Sequence, residues 1–245
     1  MDAAHVRNAL ARFDQVDFES DAARELARLR LLRAAKRFRI VPIGFISKQI
    51  RSERDLGRTP LELPTGFVTM LMTDIEGSTG HLERVGDGYE RLLEVVRSVQ
   101  RSSTERVGGC VVETRADEFF AAFHSPAAGL DAAITAQRSL AEHRWPDGIE
   151  VRIRSGIHAG YPTVSAANYI GMAVHATARI CSLAHGGQIV VSGDMRTALT
   201  DMMPPGVRLR GLGTHRLRGI REPTALYQVL AEGLPTRFAP VRTTT

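Results

Sequence analysis

The run Phe67-Val68-Thr69-Met70-Leu71-Met72-Thr73 is apolar and β-branched and ends abruptly in a carboxylate, Asp74, followed by Ile75-Glu76-Gly77-Ser78-Thr79. It reads as a buried strand delivering Asp74 to its C-terminal tip, then a turn and a helix start. A carboxylate at a strand end is placed to hold a hard cation, and backbone N–H groups at the next helix start are placed to hold phosphate. The same Asp74 could instead cap that helix, and this stretch alone leaves both readings open.

A second carboxylate changes the balance. Val111-Val112-Glu113-Thr114-Arg115-Ala116-Asp117-Glu118-Phe119-Phe120-Ala121-Ala122-Phe123 reads as strand, tight turn, strand, with Asp117 at the turn. An isolated turn aspartate is ordinary turn chemistry. Two aspartates at the ends of neighbouring strands, one beside a Gly-Ser-Thr helix start, make a two-metal triphosphate site.

With these two blocks the chain resembles the class III nucleotidyl cyclases, of the bacterial soluble type. The resemblance extends through Arg154-Ser155-Gly156-Ile157-His158-Ala159-Gly160, Asn168 to Arg179, His185 to Ser192, and Leu212 to Gly219, in family order over roughly Gly66 to Leu230. It implies conversion of ATP or GTP to the 3′,5′-cyclic monophosphate and pyrophosphate in a homodimer, with two Mg²⁺ or Mn²⁺ ions per site. It gives Asp74, Asp117 and the carbonyl of Ile75 to the metals, and Gly77, Ser78 and Thr79 to the phosphates. Arg179 matches the arginine that stabilises charge on the α-phosphate, and a guanidinium fork suits that task. Arg218 matches a basic triphosphate anchor. The alternative is a cyclase-homology domain that binds nucleotide or dimerises with little or no turnover.

The departures from the family pattern are as informative. Adenylyl cyclases usually carry a lysine at the position of Glu113, yet the chain has only two lysines, Lys36 and Lys48, both outside the cyclase-like region. An ionised carboxylate only accepts hydrogen bonds, which suits guanine N1–H and its 2-amino group, and the amide of Asn168 can donate to guanine O6. His175 stands where the family usually has an asparagine that orients the ribose; imidazole is larger, and its charge varies near neutral pH. Ala116 replaces a glycine before Asp117, at a cost of about 1 kcal/mol or more if the turn needs positive φ. A hairpin reshaped to avoid that cost would displace the carboxylate. A slow enzyme is the expectation.

Organisation follows from the periodicities. Residues 1–63 read as a basic helical extension and linker, 64–232 as the catalytic domain, and 233–245 as a flexible tail. In the extension, Ala27, Leu31, Ala34, Ala35, Phe38 and Val41 recur on one helical face, with Arg24, Arg28, Arg30, Arg33, Lys36, Arg37, Arg39, Lys48, Arg51 and Arg54 around it. An amphipathic helix with a solvated basic side is the simpler reading; contact with nucleic acid or an anionic membrane is the other. The domain reads as an α+β, ferredoxin-like βαββαβ sheet with helices on one face and additional C-terminal strands. Its expected elements include a helix over Tyr89–Gln100, a helix over Ala127–His143, a strand over Ile149–Arg154, a helix over Met172–Ala184 and a strand over Gln188–Val191. A short helix over Asp194–Leu199 and strands over Val207–Leu209 and Ala225–Leu230 complete it. No apolar run approaches the roughly 20 residues a bilayer span needs, the N-terminus lacks a signal-peptide pattern, and Cys110 and Cys181 have no metal-type spacing. Cytoplasm is the expected compartment.

Overall fold

The computed structural model describes residues 3–13, 16, 27, 30, 31, 33–35, 37, 38, 63–165 and 168–242. The chain divides into two compact units, Met1–Leu61 and Glu62–Thr245. In the first, helix α1 (Ala3–Arg12) buries Val6 and Leu10 with Phe13 and Ala35, and Ala27, Leu31, Ala34 and Phe38 pack against them. Arg30, Arg33 and Arg37 are exposed, so the apolar positions turn inward and these arginines outward, as the periodicity requires. Arg24, Arg28, Lys36, Arg39, Val41, Lys48, Arg51 and Arg54 lie outside the described residues.

The second unit opens with β1 (Val68–Ile75), α2 (Ser78–Val85), a 3₁₀ turn, α3 (Tyr89–Arg106), β2 (Cys110–Arg115), β3 (Glu118–Phe123), α4 (Pro126–Glu142) and β4 (Ile153–Gly160). It continues with β5 (Thr163–Ser165), β6 (Asn168–Ile170), α5 (Met172–Leu183), β7 (Ile189–Ser192), α6 (Gly193–Ala198), β8 (Arg208–His215) and β9 (Thr224–Leu230). Seven strands form one sheet in the order β2-β3-β1-β4-β7-β9-β8, with β4 and β7 parallel and the other pairs antiparallel. β5 and β6 form a separate ribbon. This is the expected α+β architecture, with β8 and β9 as the added C-terminal strands.

Strand alternation divides the core. Leu71, Phe119, Ala121 and Phe123 face α4 and α6, while Ile75 and Ile153 join the cluster that seats α3. Val68, Met70, Phe120 and Ala122 face the other way, with Tyr169 and with Ala173 and Val174 of α5. Helices therefore cover both faces, which corrects the one-face reading. α5 sits so near β4 that a Cβ on Gly156 would lie 2.2 Å from the backbone nitrogen of Cys181. Only glycine permits that approach.

Two further expectations are corrected. Residues 149–152 alternate in burial but pair with no strand, because β1 ends at Ile75 opposite Ile153 and the ladder begins there. β8 runs to His215, past the expected Leu209, and short β5 and β6 carried too little periodicity to be seen. Residues after Leu234 make specific contacts: Arg242 pairs with Glu76, its N–H donates to the Leu183 carbonyl, and His185 Nε2 lies 3.0 Å from the Pro240 carbonyl oxygen. Among the described residues no helix is long and apolar enough to cross a membrane.

Candidate functional site

Register builds the site. Asp74 lies opposite Glu118 of β3 on one side and Arg154 of β4 on the other, and Glu118 lies opposite Arg115 of β2. Directly opposed residues share a sheet face, so four strands line up Arg115, Glu118, Asp74 and Arg154 in one charged row. The Arg154 guanidinium donates to Asp74 Oδ2, with both side chains largely withdrawn from solvent.

Asp117, in the two-residue turn between β2 and β3, lies beside Asp74. Burial, then the negative charge of Asp117, push the Asp74 carboxyl from 3.8 up to about 7, against the pull of Arg154; the hydrogen bond with Asp117 and the charge of Glu118 add to the rise. Two carboxylates that oppose each other's ionisation are a natural seat for a divalent cation, whose charge removes the conflict. Their donors are all oxygen, which suits Mg²⁺ or Mn²⁺. Among the described residues no group of three or more His, Cys, Asp or Glu side chains gathers to hold a metal ion, so side-chain ligation would rest on this pair.

The turn keeps its tight form despite Ala116, which adopts φ 50°, a positive value found at no other non-glycine residue described. The chain accepts the strain of that turn, and Arg97 Nη2 donates to the Ala116 carbonyl at 2.8 Å. Behind Asp74, Gly77 takes φ 67° as the N-cap of α2, a left-handed conformation that favours glycine. No side chain caps that helix, so Asp74 does not serve as its cap, and the N–H groups of the Ser78–Thr79 end are not claimed by a capping side chain.

A cavity of about 250 Å³ opens on the Asp74 face, lined by Met72, Asp74, Glu113, Arg115 and Phe120 from the sheet and by Ala178, Cys181 and Ser182 from α5. A bulge at Val112 shifts the β2 register so that Glu113 pairs with Phe120. Asn168 Nδ2 donates to Glu113 Oε2 at 3.2 Å, while its Oδ1 accepts from the Tyr169 N–H at 2.7 Å. The backbone donor thereby orients the amide with its nitrogen towards Glu113, so two residues 55 apart in sequence meet as a pair.

The remaining residues expected at the site lie elsewhere in the single chain. His175 is exposed and Arg179 half-buried on α5, and neither lines the cavity. Arg218 is exposed in the β8–β9 connection, at the end of the sheet opposite the Asp74 row. One chain thus gathers Asp74, Asp117, Glu113 and Asn168 but not Arg179, His175 or Arg218. Sequence reasoning gave no role to Arg154, Glu118, Arg97 or Gln100. Only the strand register and the seating of α3 reveal them.

No family model matches the chain. An uncharacterized protein of Mycobacterium tuberculosis (strain ATCC 25618 / H37Rv) is 33% identical over 193 residues, covering 77% of this chain and 64% of that protein. The adenylate cyclase of Mycosarcoma maydis is 30% identical over 198 residues, covering 70% of this chain and 8% of that protein. The chain thus spans less than two thirds of these relatives' lengths. Among solved structures, an adenylate cyclase from Trypanosoma brucei superposes with a TM-score of 0.67 at 23% identity, covering 76% of this chain and 95% of that one. That likeness establishes the shared fold.

Proposed function

Because the chain belongs to the class III nucleotidyl cyclase family, we propose that it converts a purine nucleoside triphosphate, ATP or GTP, to the 3′,5′-cyclic monophosphate and pyrophosphate. The observation that carries the reading is the Asp74–Asp117 pair, joined at the tips of β1 and of the β2–β3 hairpin beside an uncapped helix start. Asp74, Asp117 and the Ile75 carbonyl would hold Mg²⁺ or Mn²⁺, two ions per site. When bound, the ions would lower the pKa of the ribose 3′-hydroxyl and neutralise the departing pyrophosphate oxygens.

The protein's own groups supply binding and orientation. Backbone N–H groups of Gly77, Ser78 and Thr79 receive phosphate oxygens at the positive end of α2. Glu113 and Asn168 read the base, and Phe120 and Met72 give it an apolar wall. The cavity of about 250 Å³ falls below the roughly 300–1,000 Å³ usual for ligand pockets. A second copy completes it in this reading, bringing Arg179 to the α-phosphate, His175 to the ribose and Arg218 to the terminal phosphates.

A second reading, a domain that binds nucleotide or pairs without turnover, is favoured by His175, whose ring is bulkier than the family's usual asparagine and suits the ribose poorly. The two readings separate on one experiment. Purified protein is supplied with Mn²⁺ and ATP or GTP, and cyclic nucleotide and pyrophosphate are measured together. Equimolar, metal-dependent release of both supports the enzyme; nucleotide binding without either product supports the second reading.

A further inference from the structure

We infer that Arg97 and Gln100 of α3 are positioning residues that fix the separation of the two aspartates, an inference resting on the metal-site reading above. The two lie three apart on one face of α3. Arg97 Nη2 donates to the Ala116 carbonyl at 2.8 Å, and Gln100 Nε2 donates to Thr73 Oγ1. Each bond lands on the residue immediately before an aspartate. One rigid helix therefore grips both carboxylate-bearing segments.

Neither bond uses a carboxylate oxygen. Strand alternation sends the Thr73 and Asp74 side chains to opposite sheet faces, so Gln100 holds β1 from the α3 side while Asp74 stays on the cavity side. Gln100 and Thr73 are 3% and 2% exposed, so water does not compete for their bond. The Ala116 carbonyl belongs to the peptide plane that leads into Asp117. A guanidinium hydrogen bond to it pins that plane in the one non-glycine turn conformation described with positive φ. Without Arg97, an alanine at φ 50° has a reason to relax, and the relaxation carries Asp117 away from Asp74.

Strain and clamp make a paired prediction. Arg97→Met keeps an unbranched stem in place of the arginine's and removes its donors. Ala116→Gly removes the strain that the clamp opposes. The full chain, without nucleotide, is titrated with Mn²⁺ while free Mn²⁺ is followed by its electron paramagnetic resonance signal, and thermal midpoints are recorded without metal. Wild type is expected to bind Mn²⁺ and Asp117→Ala to lose that binding. Arg97→Met is expected to bind about tenfold more weakly, and Arg97→Met with Ala116→Gly to recover most of the loss. Ala116→Gly alone is expected to raise the midpoint by about 2–4 °C with Mn²⁺ affinity kept.

Failure of wild type to bind Mn²⁺ overturns the metal-site reading and this inference with it. Wild-type binding with an undiminished, folded Arg97→Met, or with a loss that Ala116→Gly does not repair, overturns the clamp alone. If Arg97→Met does not fold, the single Ala116→Gly protein decides: an unchanged or lower midpoint means the turn holds no strain for Arg97 to oppose.

Discussion

Arg154 faces Asp74 across the β1–β4 ladder and donates to its Oδ2, yet the Asp74 carboxyl still titrates as high as about 7. An arginine at hydrogen-bond range ordinarily lowers a carboxylate by about 1–3 units. Here burial and the adjoining Asp117 outweigh it. On the proposed metal-site reading, the Asp74 proton and a divalent ion would compete for one place. Arg154 lessens the rise without cancelling it.

That balance predicts a pH dependence with a definite sign. The native state keeps the Asp74 proton to about 7, while an unfolded chain gives it up near 3.8. Between those values the unfolded state binds fewer protons, so this group's contribution to metal-free stability is full below the lower value and is lost as pH rises through the upper one. A divalent ion competes with the same proton. The rise in thermal midpoint produced by Mn²⁺ should therefore be larger near pH 8 than near pH 5.5, and Asp74→Asn should abolish the difference. Equal Mn²⁺ shifts at both pH values in wild type would show that Asp74 does not exchange its proton for the ion.

Loss of either aspartate should separate chemistry from folding. Asp74→Ala and Asp117→Ala should each abolish cyclisation, while circular dichroism and the elution volume stay those of wild type. Neither carboxylate anchors the core; Asp74 sits at the last ladder steps of β1, and Asp117 lies in the turn. Insoluble protein from both variants, in place of soluble protein without turnover, would assign these carboxylates to the scaffold.

What the sequence made legible follows how locally each feature is encoded. The apolar run to Asp74, the hairpin around Ala116-Asp117 and the long α3 and α4 show in period and composition, and they stand where expected. Ile149–Arg154 misled because burial alternates wherever backbone is extended, whereas a ladder also needs a partner at the right height. Ala116 is a different case: its intrinsic cost is legible, but the Arg97 donor that bonds its carbonyl comes from another element. The Arg115–Glu118–Asp74–Arg154 row depends on the register of four strands, and no window of sequence contains it.

Assembly has its own test. Arg179 and His175 lie off the cavity that holds Asp74, so the proposed site draws them from a second copy. An Asp74→Ala chain and an Arg179→Ala chain, each inactive, should regain activity when mixed and allowed to exchange. One of the two sites in the mixed dimer then carries both intact halves, so recovery should approach about a quarter of wild type for random pairing of equal amounts. Demonstrated chain exchange with no recovery would count against a site shared between copies.

The base is the last and most exposed prediction. Glu113 and Asn168 meet at 3.2 Å, and the Asn168 carbonyl is occupied by the Tyr169 N–H. The amide therefore turns its nitrogen inward, and its second N–H can donate to guanine O6. An ionised Glu113 can accept from guanine N1–H and the 2-amino group, whereas adenine N1 is itself an acceptor and would face it in repulsion. Leaving such a group unpaired costs about 1–3 kcal/mol, or about a ten- to hundredfold bias. The protein should prefer GTP, or turn over ATP poorly, and Glu113→Lys with Asn168→Asp should move the preference towards ATP. Product formation from ATP and GTP is to be followed in parallel with Mn²⁺ for both proteins. If wild type makes cyclic AMP at least about tenfold more efficiently than cyclic GMP, the Glu113–Asn168 pair does not read the base, and its hydrogen bond serves only to tie β2 to β6.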